Sequence, residues 1–129
     1  MGTIKQFEDL EIWIKSREIC NRIFEIKEKS DLKKDYRLFD QINGSSGSIM
    51  DNIAEGFERN GNKEFRQFLS ITKASCGETR SQLYRVLDRK YITQEEFDIE
   101  HENLIMLSKQ IGGFMSYLQQ IDYKGSKFK

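Results

Sequence analysis

The sequence predicts an all-α fold, an antiparallel up-down-up-down four-helix bundle, from three observations. There is no proline in 129 residues, where average usage would supply about six, and proline breaks helix interiors. Apolar residues recur at spacings of three and four along four stretches, the period of a helix with one buried face. Connections of only a few residues separate the stretches, which places successive helices side by side and antiparallel.

The first helix is predicted over residues 8–29. Leu10, Trp13, Ile14, Cys20 and Phe24 lie on one side of it, and Ile12, Ile19, Ile23 and Ile26 on another. That apolar arc is too wide for one groove of a bundle, so the four isoleucines are assigned to a contact with a second copy of the chain. The second helix, over 35–57, carries Tyr36, Phe39, Ile42, Ile49, Met50, Ile53 and Phe57 at helical spacing. Gly44-Ser45-Ser46-Gly47-Ser48 interrupts it. Each glycine costs about 1 kcal/mol relative to alanine in a helix, and Asn43-Gly44 is also a hairpin-turn pair. The heptad phase of positions 39, 42, 46, 49 and 53 survives the interruption, so the helix is read as continuous, with small residues permitting close approach of a neighbour.

The third helix, over 62–88, has the clearest stripe: Phe65, Phe68, Leu69, Thr72, Cys76, Thr79, Leu83, Val86 and Leu87 share one face. The fourth opens on Thr93-Gln94-Glu95-Glu96, the pattern of a capping box, with acids suited to the positive end of the helix dipole. Phe97, His101, Leu104, Ser108, Ile111, Met115 and Leu118 follow, widened by Ile105, Phe114 and Ile121. One domain over 1–129 is expected, with a core over 7–121 and a frayed tail over 122–129.

Composition narrows the function classes. Charged residues make up 33% and hydrophobic residues 37%, too apolar for disorder and too charged for a membrane span. Met1-Gly2-Thr3-Ile4-Lys5-Gln6 lacks the apolar core of a secretory leader, and Gln6 stands where myristoylation needs Ser or Thr. A cytoplasmic location is expected, with no membrane partner. Two cysteines, Cys20 and Cys76, make neither a disulfide framework nor a zinc site. The single histidine, His101, sits in Asp98-Ile99-Glu100-His101 without the second Glu-x-x-His motif of a di-iron bundle. It is read as lining the core stripe. No nucleophile–base pair and no phosphate loop stand out. The expectation is a protein that is not an enzyme, with no cofactor, no metal and no small-molecule substrate.

Charge is uneven despite 21 basic and 21 acidic residues. Positions 58–90 hold eight bases against four acids, and positions 91–106 hold five acids and no Lys or Arg. Arg59, Arg66, Lys73 and Arg80 recur every seven residues, with Lys63 nearby. Such a row suits a phosphate backbone. A solvated flank with snorkelling stems, or a subunit contact between basic and acidic flanks, suits it as well. Few aromatics interleave with these bases, so stacking on single strands draws no support from the sequence.

Several motifs carry a more specific likeness: Phe7-Glu8-Asp9-Leu10-Glu11-Ile12-Trp13, Gln41-Ile42, Ser48-Ile49-Met50-Asp51-Asn52-Ile53-Ala54-Glu55-Gly56-Phe57 and Lys63-Glu64-Phe65-Arg66-Gln67-Phe68-Leu69. Their order and spacing resemble the four-helix-bundle proteins encoded in intervening sequences of bacterial 23S rRNA genes, relatives of the accessory variability proteins of retroelements. Asn52, Glu55, Gly56 and, in the third helix, Glu78 match positions of the family pattern. The resemblance implies a homo-oligomeric ring, typically a pentamer, without known catalysis, and association with rRNA or another structured nucleic acid. The combined expectation is an oligomeric bundle contacting nucleic-acid backbone. The alternative is a protein–protein scaffold without a nucleic-acid role.

Overall fold

The computed structural model describes residues 4–127, with side chains through position 122. Four helices follow one another: α1 Glu11–Lys29, α2 Tyr36–Glu58, α3 Asn62–Asp88 and α4 Gln94–Lys127. Short 3-10 turns at Phe7–Asp9 and Asp31–Lys34 lead into α1 and α2. Among the described residues there is no strand.

Each helix packs on two neighbours, α1 and α3 both lying against α2 and α4. Contacts between the pairs set the direction. The Cys20 thiol donates to the Ser46 carbonyl at 3.2 Å, and the Lys27 amine lies over Phe39. Ser45 meets Gln82 while Thr72 meets Ile49, and Tyr84 meets Phe97 while Arg66 meets Asp122. In each pair one index rises as the other falls, so neighbouring helices are antiparallel.

The core is mostly leucine and isoleucine, with Ile23, Leu38, Ile42, Ile49, Ile53, Leu69, Leu83, Leu104 and Ile111 almost wholly enclosed. Burying each such side chain contributes about 1.5–3 kcal/mol. Helix α2 runs unbroken through Gly44 and Gly47. Its small residues form a polar seam with α3: Ser45 donates to Gln82 at 2.5 Å, and Ser75 donates to the Ser48 hydroxyl at 3.0 Å. Ser45, Thr72, Ser75, Thr79 and Gln82 are all buried there. Hydrogen bonding within the seam offsets the cost of burying those hydroxyls.

The sequence expectation for α1 inverts. Ile12, Ile19 and Ile23 are 5, 2 and 2% exposed and belong to the core of the single chain, with Ile26 packed half-buried against it. The outward side chains are Ile14 and Phe24, while Trp13 and Cys20 lie half-buried. Ser16, buried with its hydroxyl bonded to the Ile12 carbonyl, completes the inward stripe with the isoleucines. Counting hydrophobes alone hid that small polar member.

The ends differ too. Helix α1 begins at Glu11, because Leu10 is extended. Asp9 reaches back to the amides of Lys5 and Gln6 and makes a separate turn before it. Helix α4 continues past the expected end near 121 to Lys127, while positions 128 and 129 of the expected tail lie outside the described residues. The capping box forms as expected, Thr93 Oγ1 accepting from the Glu96 amide at 3.1 Å and Glu96 accepting from the Thr93 amide at 2.9 Å. Helix α3 closes with Lys90 at φ +62°, its amide bonded to the Leu87 carbonyl and that of Tyr91 to Val86. This is a Schellman ending with lysine in the position glycine favours.

Candidate nucleic-acid interface

Of the family-pattern residues, Gly56 sits where α2 meets α3. A Cβ at Gly56 would lie 2.6 Å from Phe68 Cβ and 2.9 Å from Phe65 Cδ1. Only a bare backbone lets α2 approach α3 there, so the Gly of one motif and the two Phe of the other form a single contact. Asn52 donates to the Ser48 carbonyl and hydroxyl, both at 2.8 Å, holding its amide along α2. Glu55 pairs with Arg59 at 2.8 Å, and Glu78 is exposed on α3.

The five bases of the predicted row divide into unlike groups. Arg59 caps the end of α2, binds Glu55 and lies over the Phe68 ring at 5.1 Å. Its hydrogen bond to Glu55 pushes the guanidinium further above its ordinary value. Arg66 reaches across to α4 and binds Asp122 at 3.0 Å, beside Asn62, which also donates to Asp122. Lys63 is exposed on the first turn of α3. Lys73 and Arg80 make no ion pair among the described residues. Seven residues separate them, a spacing of about 10.5 Å along the helix.

Lys73 lies on the α4 side of α3, and Arg80 follows it on the same face by helical register. The Lys73 amine sits over the α4 backbone, 3.5 Å from where a Gly112 Cβ would stand. The amine thus packs against Gly112, at a distance where an added methyl would be in ordinary contact with it. Lys109, exposed one turn earlier on α4, adds a third charge near Gly112 and Gly113 by helical register. Sequence spacing missed Lys109 because it lies on another helix.

Few aromatics interleave with the bases in sequence, but beyond Arg80 the same groove ends in an aromatic cluster. Tyr84 follows Arg80 by one turn and is 48% exposed. Its ring lies 4.8 Å from Phe97 and 5.6 Å from His101, and Phe97 and His101 stack at 5.1 Å. His101 is half-buried in this cluster. The i to i+4 relation of Arg80 and Tyr84 was available in the sequence; the arrival of Phe97 and His101 from α4 was not.

Among the described residues no three of His, Cys, Asp or Glu are placed to hold a metal ion. Burial pushes the Cys76 thiol up to about 11 and also raises Cys20, so neither is a thiolate at neutral pH. The buried Glu100 is bound by Arg22 at 2.7 Å and ties α4 to α1. A cleft of about 400 Å³ between the start of α1 and α4 has mainly apolar walls of Ile4, Leu10, Ile12 and Phe114. No described helix is long and apolar enough to cross a membrane.

Comparison with known proteins bears on most of the chain. The family model described as 23S rRNA-intervening sequence protein matches residues 8–113. A solved structure of a protein of unknown function from the S23 ribosomal protein family of Bacteroides thetaiotaomicron superposes with a TM-score of 0.74 at 24% identity. The match covers 81% of this chain and 97% of that one, and at that identity it speaks to the fold. No curated protein matches the chain.

Proposed function

The chain belongs to the 23S rRNA-intervening sequence protein family, and from that premise we propose that it is a non-catalytic, self-associating bundle that binds structured RNA through the phosphate backbone. The observation that carries this reading is the state of Lys73 and Arg80. Lys73 stands at the α3–α4 groove and Arg80 follows it on the same face by helical register. Both are without an ion-pair partner among the described residues, whereas Arg59 and Arg66 are paired with Glu55 and Asp122. A lysine over a glycine backbone and an arginine one helical repeat away suit two phosphates of one strand. The net charge of zero limits long-range attraction, so affinity rests on these local contacts and is modest.

The test is the Lys73→Glu/Arg80→Glu pair in a salt titration against a structured RNA hairpin and an unrelated RNA of equal length. Each phosphate contact contributes about 0.7–0.9 to the slope of log affinity on log salt. Wild type should bind both RNAs similarly, and the variant should bind both more weakly with a flatter slope while keeping its oligomeric state. Loss of the assembly instead would favour the scaffold reading, in which this basic flank meets the acids at the start of α4 of another copy. Absence of RNA retention by wild type at low salt would end the RNA reading.

A further inference from the structure

We propose that Tyr84, at the end of the basic groove, is a stacking platform for one unpaired RNA base, so that the preferred RNA carries a bulged or looped nucleotide. The inference rests on the RNA-binding reading and adds to it the kind of RNA that fits. Three observations lead to it. Tyr84 is a large ring left 48% exposed, while Phe97 beneath it is 5% exposed. Ring contacts to Phe97 at 4.8 Å and His101 at 5.6 Å fix its orientation without covering it. A pre-set ring gives a base its stacking surface at little ordering cost.

The charge around the ring differs between the two helices. On α3, Arg80 lies one turn before Tyr84 and the exposed Arg85 follows it, whereas on α4 the exposed Asp98 and Glu102 flank His101. Phosphates are held on the α3 side over Lys73 and Arg80 and repelled from the α4 side of the ring. A strand on the groove therefore meets the acidic side with a base. Paired bases cannot turn out to do so, whereas a bulged nucleotide can be splayed onto an aromatic side chain. An adenine suits the place because its exocyclic amine can donate to a carboxylate.

The experiment compares two RNA duplexes that differ only by a single bulged adenosine, at fixed salt, with the full chain. Wild type should bind the bulged duplex roughly tenfold more tightly, the scale of one base–aromatic stack. Tyr84→Leu should abolish the difference and leave the salt slope unchanged, and Tyr84→Phe should keep it. The Lys73→Glu/Arg80→Glu pair should weaken both duplexes together. Helicity measured on each variant checks that the bundle is intact. Equal wild-type binding of the two duplexes, or a preference that survives in Tyr84→Leu, overturns this proposal and leaves backbone binding standing. Failure of wild type to bind either duplex overturns both.

Discussion

At Gly56 a single hydrogen in place of a methyl decides how closely α2 and α3 pack. The Gly56→Ala Cβ would meet Phe68 Cβ at 2.6 Å, a distance only backbone movement relieves. Overpacking of this kind costs about 1–3 kcal/mol, so Gly56→Ala should lower the midpoint of urea unfolding by a corresponding amount. Gly44, with open space around it, serves as the comparison. Gly44→Ala should stabilise the same helix by about 0.5–1 kcal/mol through helix propensity. Equal effects at the two positions would show that Gly56 is not a close-approach site. The sequence made Gly56 visible as a motif letter, but its reason lies in Phe65 and Phe68, which arrive from the next helix.

Among the elements, legibility followed how each signal was encoded. Helix α3 and the Thr93–Glu96 cap could be read because propensity, periodicity and local hydrogen bonding agree within one stretch. The continuity of α2 was readable from phase alone, against its glycines. The facing of α1 was not, because two apolar arcs compete and the choice depends on buried Ser16 and on what α2 and α4 present. Nor could the division of the basic row be read, since Asp122 lies 56 positions from Arg66.

The junction of α2 with the α3–α4 turn is another such distant meeting. Asp35 caps α2 at the Leu38 amide and accepts from the Tyr91 hydroxyl at 2.8 Å and from Arg89 at 2.6 Å. The Tyr91 hydrogen bond, then Arg89 and the Leu38 amide, hold its carboxyl below the ordinary carboxylate value. A depressed folded-state value means that this stabilisation is present above the unfolded value of about 4. It is lost as pH falls through the folded one. Asp35→Asn should therefore cost stability at pH 7, and the cost should shrink on acidification below about pH 4. A cost that stays constant from pH 7 to pH 2 would show that the charge of Asp35 does not hold the junction.

For the whole molecule, the inversion of α1 changes what a test of assembly means. Ile19 is 2% exposed, so Ile19→Glu places an unpaired carboxylate in the core and should cost the fold itself rather than dissociate intact subunits. On α1, the large apolar side chains exposed to a second copy are Ile14 and Phe24, 42 and 50% exposed on its outer arc. Phe24 also carries the Lys27 amine 4.9 Å from its ring centre, so a charge beside it does not prevent burial of its other face. If this arc joins copies of the chain, Ile14→Glu/Phe24→Glu should sediment as a folded 15.3 kDa monomer while wild type sediments as a larger species. Circular dichroism separates the cases, since the double variant should keep its helicity and Ile19→Glu should lose it. A double variant that sediments like an oligomeric wild type would move the contact to another face. A monomeric wild type at micromolar concentration would remove assembly altogether and leave Lys73, Arg80 and Tyr84 to act as a single-chain surface.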